Sequence, residues 1–221
     1  MIVFLHTAPV HIATFDALRD RFAPDLAIRH VVREDLLENA VTQGGVTPEI
    51  EAAATAVLAG IMTGGVQAIV CTCSTLGAVA ESFDAEAAIP VIRIDRPMAD
   101  NAVMLGNHIA VCGAASTALA STMALLHSSA KDMDRANVTL IDHLFASAWK
   151  YFERGDMDAY HREVARGLRG AALTADLIIL AQASMHGAIA HCPEITVPIW
   201  SSPETGFRAA LALIDYEEKT T

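Results

Sequence analysis

Short runs of β-branched and aliphatic residues alternate along this chain with longer, alanine-rich stretches of helical period, and no other feature restricts the fold as tightly. Parallel strands need a crossover of a dozen or more residues, usually a helix, so the alternation predicts an α/β protein with mostly parallel sheet. The first round carries strands at 2–6, 27–32, 69–73 and 91–94. Thr14 is placed to cap a helix with the apolar stripe Phe15, Leu18 and Phe22, and Thr47-Pro48-Glu49 opens a longer helix that Gly64-Gly65 stops. A helix from about Ser74 to Phe83 follows the third strand, and Pro97 opens the next. A second round begins at His108, with strands at 109–112, 138–141, 177–180 and 197–200. Its helices are expected from about Ser116 to His127, Ala159 to Leu173 and, at the end of the chain, Pro203 to Tyr216. No linker rich in proline, glycine or serine separates the rounds, which predicts two lobes packed directly together.

Charge narrows the function. A net charge of -11 argues against a nucleic-acid or anionic-membrane partner, because either would want a basic face. Hydrophobic residues make up 53% of the chain, but much of that is alanine in helices and no apolar run reaches membrane-spanning length. Met1 to Leu5 lacks the basic flank and cleavage site of a secretory signal, and the four cysteines lack framework spacing, so a soluble protein in the reducing cytoplasm is expected. No glycine-rich phosphate loop follows any strand, and Cys71-x-Cys73 has neither a second ligand pair for zinc nor thioredoxin-like spacing.

One thiol stands apart from the others. Cys71 and Cys112 sit inside apolar runs, where a free cysteine serves as a small hydrophobe. Cys73 instead closes the run Ile69-Val70-Cys71-Thr72-Cys73, directly before the hydroxyls of Ser74 and Thr75 and an expected helix start. Side chains at the carboxyl ends of parallel strands face the ligand crevice, and the first amides of a helix favour thiolate over thiol. A nucleophile or a proton-abstracting base is the use that chemistry offers. Residues 179–184, Ile-Leu-Ala-Gln-Ala-Ser, repeat the pattern of 69–74 in the second round and set Ala183 opposite Cys73.

Cys73-Ser74-Thr75, Gln182-Ala183-Ser184, the loop His6-Thr7-Ala8-Pro9 and the late Ser201-Ser202-Pro203 together resemble the aspartate/glutamate/hydantoin racemase superfamily over nearly the whole chain. The resemblance implies two pseudo-symmetric lobes, 1–97 plus 207–221 and 98–206, with the active site in a cleft between them. It implies no cofactor, no metal and a homo-oligomer. It makes Cys73 the catalytic acid/base, and His6, Thr7, Ser74, Thr75, Ser116, Thr117, Gln182, Ala183 and Ser184 the residues that bind a small carboxylate or cyclic amide. The family's second motif carries a cysteine where this chain has Ala183, and alanine moves no proton. Either another acid replaces that cysteine, with His6 and His143 the candidates by residue type, or the chemistry is one-sided, as in decarboxylation with Cys73 as the proton donor. A small-ligand-binding protein on the same fold is the non-enzymatic alternative.

Overall fold

The computed structural model describes residues 1–214 and 216, and the chain divides into two compact units, Met1–Arg96 with Pro203–Thr221, and Pro97–Ser202. The first holds β1 (Ile2–His6), α1 (His11–Phe22), β2 (Ile28–Val32), α2 (Glu34–Gln43), α3 (Pro48–Ile61), β3 (Ala68–Cys71), α4 (Gly77–Asp84) and β4 (Val91–Arg93). The second follows with α5 (Arg96–Leu105) leading in, then β5 (His108–Gly113), α6 (Ser116–Asp132), β6 (Thr139–Leu144), α7 (Ala146–Glu153), α8 (Met157–Ala171), β7 (Leu177–Leu180) and β8 (Ile199–Ser201). From there α9 (Ser202–Leu213) returns to the first unit. Its expected continuation through Asp215, and the end of the first lobe at 217–221, lie outside the described residues.

The two sheets share one plan. Their strand orders are β2-β1-β3-β4 and β6-β5-β7-β8, and every neighbouring pair is parallel. Parallel sheets are covered on both faces, which is why β1, β3 and β7 are buried along their whole length. Successive strand residues point to opposite faces, and β1 shows both cores at once. Val3 and Leu5 pack with Leu36, Leu58 and Val79 under α2, α3 and α4, while Ile2 and Phe4 pack with Phe15 of α1 and Phe207 of α9. A Cβ at Gly206 would stand 2.3 Å from the Ile94 carbonyl oxygen, so only glycine lets α9 lie this close to the end of β4.

Several elements differ from the expectations. α1 starts at His11 after the Ala8-Pro9 turn, three residues before Thr14, and its N-cap is Val10 with no side-chain bond. α2 and α7 were not expected at all. Each ends at or near a glycine in the left-handed region, Gly44 at φ 73° and Gly155 at φ 71°, and α2 opens on Glu34 and Asp35, which complement its dipole. The helices expected from Ser74 and after Met185 begin instead as 3-10 turns, Ser74–Leu76 and Ala183–His191. Among the described residues no helix is long and apolar enough to cross a membrane.

Candidate active site

The β3 ladder ends at Cys71, whose partner in β1 is Leu5, and Thr72 N–H adds one more bond to the Leu5 carbonyl at 3.0 Å. Cys73 is therefore the first residue free of the sheet and the N-cap of the 3-10 turn. Its thiol is bracketed by hydrogen bonds from the Thr7 hydroxyl, the Thr75 hydroxyl and the backbone N–H groups of Leu76 and Thr75, all of which favour the thiolate. Burial outweighs them: Cys73 is only 7% exposed, and its pKa lies above that of an ordinary thiol. The expectation of a thiol poised as thiolate is corrected on this point. The amides stand where the sequence puts them, but they act on a buried sulfur, and the resting group is the protonated thiol. Cys71 and Cys112 lie inside β3 and β5, and burial pushes both thiols up to about 12.

Thr7, Cys73, Ser74 and Thr75 are thus brought together at the ends of β1 and β3. His6 is not available to a ligand. It is fully buried, its Nδ1 bonds the Thr72 Oγ1 at 2.7 Å and its Nε2 bonds the His30 Nδ1 at 2.8 Å. Burial, together with nearby His11 and His30, drives its pKa down to about 3, so it stays neutral and is neither a substrate contact nor a replacement acid. Arg93 and Asp95 form a buried ion pair close by. Asp95 accepts a two-pronged bond from the Arg93 Nε (2.7 Å) and Nη2 (3.1 Å), both side chains being almost wholly buried, and Glu81 joins Arg93 to Arg96.

The second unit has Ser116 and Thr117 at the start of α6 and Gln182, Ala183 and Ser184 after β7. Ser116 is exposed and the N-cap of α6 is Ala115, so the capping role that a serine there could take is not used. The sheet ladders correct the internal match by one residue. Leu5 pairs with Cys71 and Cys112 pairs with Leu180, while Thr72 N–H to Leu5 O in one unit is matched by Ala181 N–H to Cys112 O in the other. Two residues past the ladder stand Cys73 in the first unit and Gln182 in the second, so Gln182, not Ala183, is the counterpart of the thiol. Gln182 is committed: its Oε1 accepts the Ala114 N–H at 2.7 Å and the Ala115 N–H at 2.9 Å. Ser184 falls opposite Thr75, and two consecutive α8 residues hold it, Tyr160 by its hydroxyl (3.1 Å) and His161 by a bond to its carbonyl (2.9 Å). His143 lies on β6 with a half-buried ring whose Nε2 has no partner among the described residues. Among those residues no group of three or more His, Cys, Asp or Glu side chains is arranged to hold a metal ion.

Tyr160, His30 and Asp16 carry no local signature. A first-turn tyrosine, a strand histidine and a helical aspartate whose Oδ1 lies 3.4 Å from the His30 Nε2 reach their partners only through tertiary packing.

Two parallel α/β units of one strand order, with a hydroxyl-bracketed thiol just beyond the third strand of the first, define the class: a two-unit α/β protein with a strand-end cysteine. A family model described as Asp/Glu/hydantoin racemase matches residues 15–210, and the chain belongs to that family. The fold is that of solved racemases. Glutamate racemase isoform RacE1 from Bacillus anthracis superposes with a TM-score of 0.77 at 17% identity, covering 98% of this chain and 82% of that one. Picrophilus torridus aspartate racemase gives 0.70 at 15% identity, covering 99% and 96%. Allantoin racemase from Pseudomonas fluorescens gives 0.56 at 15%, covering 100% and 93%. No curated protein sequence matches at a significant level. Family and fold together support a racemase-type enzyme.

Proposed function

We propose that this protein is a cofactor-independent, racemase- or isomerase-type enzyme in which Cys73 transfers a proton at a carbon next to the carbonyl of a small carboxylate, amino acid or hydantoin. The observation that carries the reading is the setting of the thiol: two hydroxyls, Thr7 and Thr75, and two amides, Thr75 and Leu76, converge on one sulfur. Donors placed this way lower the cost of negative charge on the sulfur and on a developing enediolate beside it, the expensive charge in proton transfer next to a carbonyl. Thr7, Ser74 and Thr75 hold the substrate's carboxylate or cyclic amide on the Cys73 side. Ser116, Thr117 and Ser184 are the corresponding donors of the second unit.

A second reading is favoured by Gln182 and by the protonated state of Cys73. Glutamine does not titrate, and its carbonyl is already tied to two amides, so the second unit offers no thiol at the position that matches Cys73. A buried, protonated thiol suits the delivery of a proton to a carbanion, as in decarboxylation with Cys73 as the only donor.

Both readings are tested by hydrogen exchange at the α-carbon in deuterated water, on a panel of amino acids, hydantoins and substituted malonates, the malonates also scored for carbon dioxide. Exchange abolished in Cys73→Ala establishes the catalytic thiol. Inversion accompanying exchange marks racemisation through a second acid, and carbon dioxide release with one-sided deuteration marks the decarboxylase. A panel on which neither protein acts, with ligand binding retained, would make the chain a binding protein.

A further inference from the structure

We propose that Asp16, His30 and His6 form a positioning relay for Cys73, a hydrogen-bonded chain that runs from an exposed carboxylate on α1 through β2 and β1 to the Thr72 hydroxyl and fixes the segment that carries the thiol. The proposal rests on the reading of Cys73 as the reacting group. All four side chains, Asp16, His30, His6 and Thr72, lie in the first unit.

The chain has one direction. Thr72 Oγ1 lies 3.1 Å from the Leu5 carbonyl, and a carbonyl only accepts, so the hydroxyl proton points there. The His6 Nδ1 at 2.7 Å must then be the donor to the Thr72 oxygen. His6 is neutral, which leaves its Nε2 bare and makes the His30 Nδ1, 2.8 Å away, the next donor. His30 Nε2 in turn faces the Asp16 Oδ1 at 3.4 Å, so the carboxylate closes the outer end of the chain, as an ion pair when the ring carries both protons. From Thr72 to the His30 Nδ1 each proton has one assignment, and the outermost group, Asp16, is 44% exposed.

The effect on the thiol comes through the backbone. Thr72 immediately precedes Cys73 and is held to β1 three times, by its N–H and hydroxyl on Leu5 O and by the His6 ring on its oxygen. His6 immediately precedes Thr7, the residue whose hydroxyl bonds the Cys73 sulfur, and the His6 carbonyl accepts the Arg33 N–H at 2.8 Å. One imidazole thus braces both segments whose separation sets the Thr7–Cys73 contact. The rings around the relay keep it dry: Phe4 lies 6.1 Å from His6 and 5.7 Å from His30, and Phe15 lies 5.5 Å from His6. The titratable neighbours are His11, 5.9 Å from His6, and Arg19, 4.0 Å from Asp16. A satisfied polar chain in such surroundings specifies a geometry more sharply than apolar packing does, and a cut link leaves a buried donor or acceptor without its partner.

The test measures the alkylation rate of Cys73 by iodoacetamide from pH 6 to 10, with site-resolved mass spectrometry and the second unit's Cys112 as the control for global opening. Asp16→Asn and His30→Asn cut the outer links, His6→Leu removes the relay, and His6→Asn keeps a donor for Thr72 while losing His30. Loosening the segment admits water to a thiol whose pKa burial holds high. The expected result is a downward shift of the Cys73 midpoint by about half a unit, near a threefold gain in thiolate fraction, largest in His6→Leu and partly reversed in His6→Asn, with Cys112 still unreactive. On any substrate found by the exchange panel, kcat falls about tenfold or more in His6→Leu while KM changes little, the pattern of a misplaced reacting group. Cys73 profiles that superimpose on wild type in all four variants would overturn the relay, as would a shift matched by equal exposure of Cys112. A shifted profile in a protein inactive on the whole panel supports the relay and removes only the catalytic reading.

Discussion

Acid should loosen the first unit before it touches the carboxylates, because two imidazoles are buried there in neutral form. His6 has its pKa lowered from 6.5 to about 3 and His11 from 6.5 to about 4, burial being the largest cause for each. A histidine whose folded pKa is depressed contributes stability that is fully present above the unfolded value and is lost as pH falls toward the folded one. The window therefore opens near 6.5 and runs down to between about 4 and 3. At pH 5 the unfolded rings are almost fully protonated and the folded ones almost fully neutral, so linkage removes about 2 kcal/mol per ring relative to pH 7.5. Both rings are neutral in the folded state at pH 5, so their two losses add. Carboxylates held low by their partners, such as Asp35 by Arg33 and Glu163 by Arg166, begin to lose their contributions only as pH falls past their unfolded values of 3.8 and 4.5, at the lower end of this interval. The assay is hydrogen exchange of the β1 amides Val3, Phe4 and Leu5 in a urea series at pH 7.5 and 5.0, on wild type, His11→Gln and His6→Asn. Each variant should lose about 2 kcal/mol less than wild type between the two pH values, whatever its starting stability. Equal losses in all three proteins would refute the assignment of buried neutral imidazoles.

Substitutions at two further positions, Gly77 and Gln182, probe contacts that hold the strand ends. At Gly77 an added Cβ would lie 2.4 Å from the Arg93 Cζ, so Gly77→Ala should push the guanidinium off Asp95 and cost a net of about 2 to 4 kcal/mol despite the better helix former. Gly60→Ala, with open space around the new methyl, is the control and should be neutral or gain up to about 1 kcal/mol in urea unfolding. Gln182→Ala strips the Ala114 and Ala115 amides of their acceptor and should cost about 1 to 3 kcal/mol, with Gln182→Glu losing less because an acceptor remains. Denaturant midpoints for the two Gln182 variants that coincide would show that the amides find another partner.

Period and punctuation were enough for most of the fold. Apolar runs such as 2–6, 69–73 and 177–180 read as buried parallel strands because both faces of the sheet are covered, the third strand being Ala68–Cys71, and Thr47-Pro48-Glu49 reads as a helix start because Thr47 accepts the Ile50 N–H across the first turn. α2 and α7 are marked only by weaker signals, the acidic pair Glu34-Asp35 and the glycines 44 and 155. The one-residue slip between Ala183 and Gln182 has another source. Ile-Val-Cys-Thr-Cys-Ser and Ile-Leu-Ala-Gln-Ala-Ser match best by residue type in one register, while the ladder, set by which carbonyl accepts the Thr72 and Ala181 amides, uses the next.

By itself the sequence determined the class of fold and the position of Cys73 just beyond a strand, since periodicity and chain order are local properties that any later packing must accommodate. Only the tertiary structure decided the protonation of that thiol, the withdrawal of His6 from the site, the pairing of Arg93 with Asp95 and the link from Asp16 to Thr72. Burial and hydrogen-bond partners depend on residues far apart in the chain, His6 and Thr72 being separated by 66 positions, and no window of sequence contains both halves of such a contact.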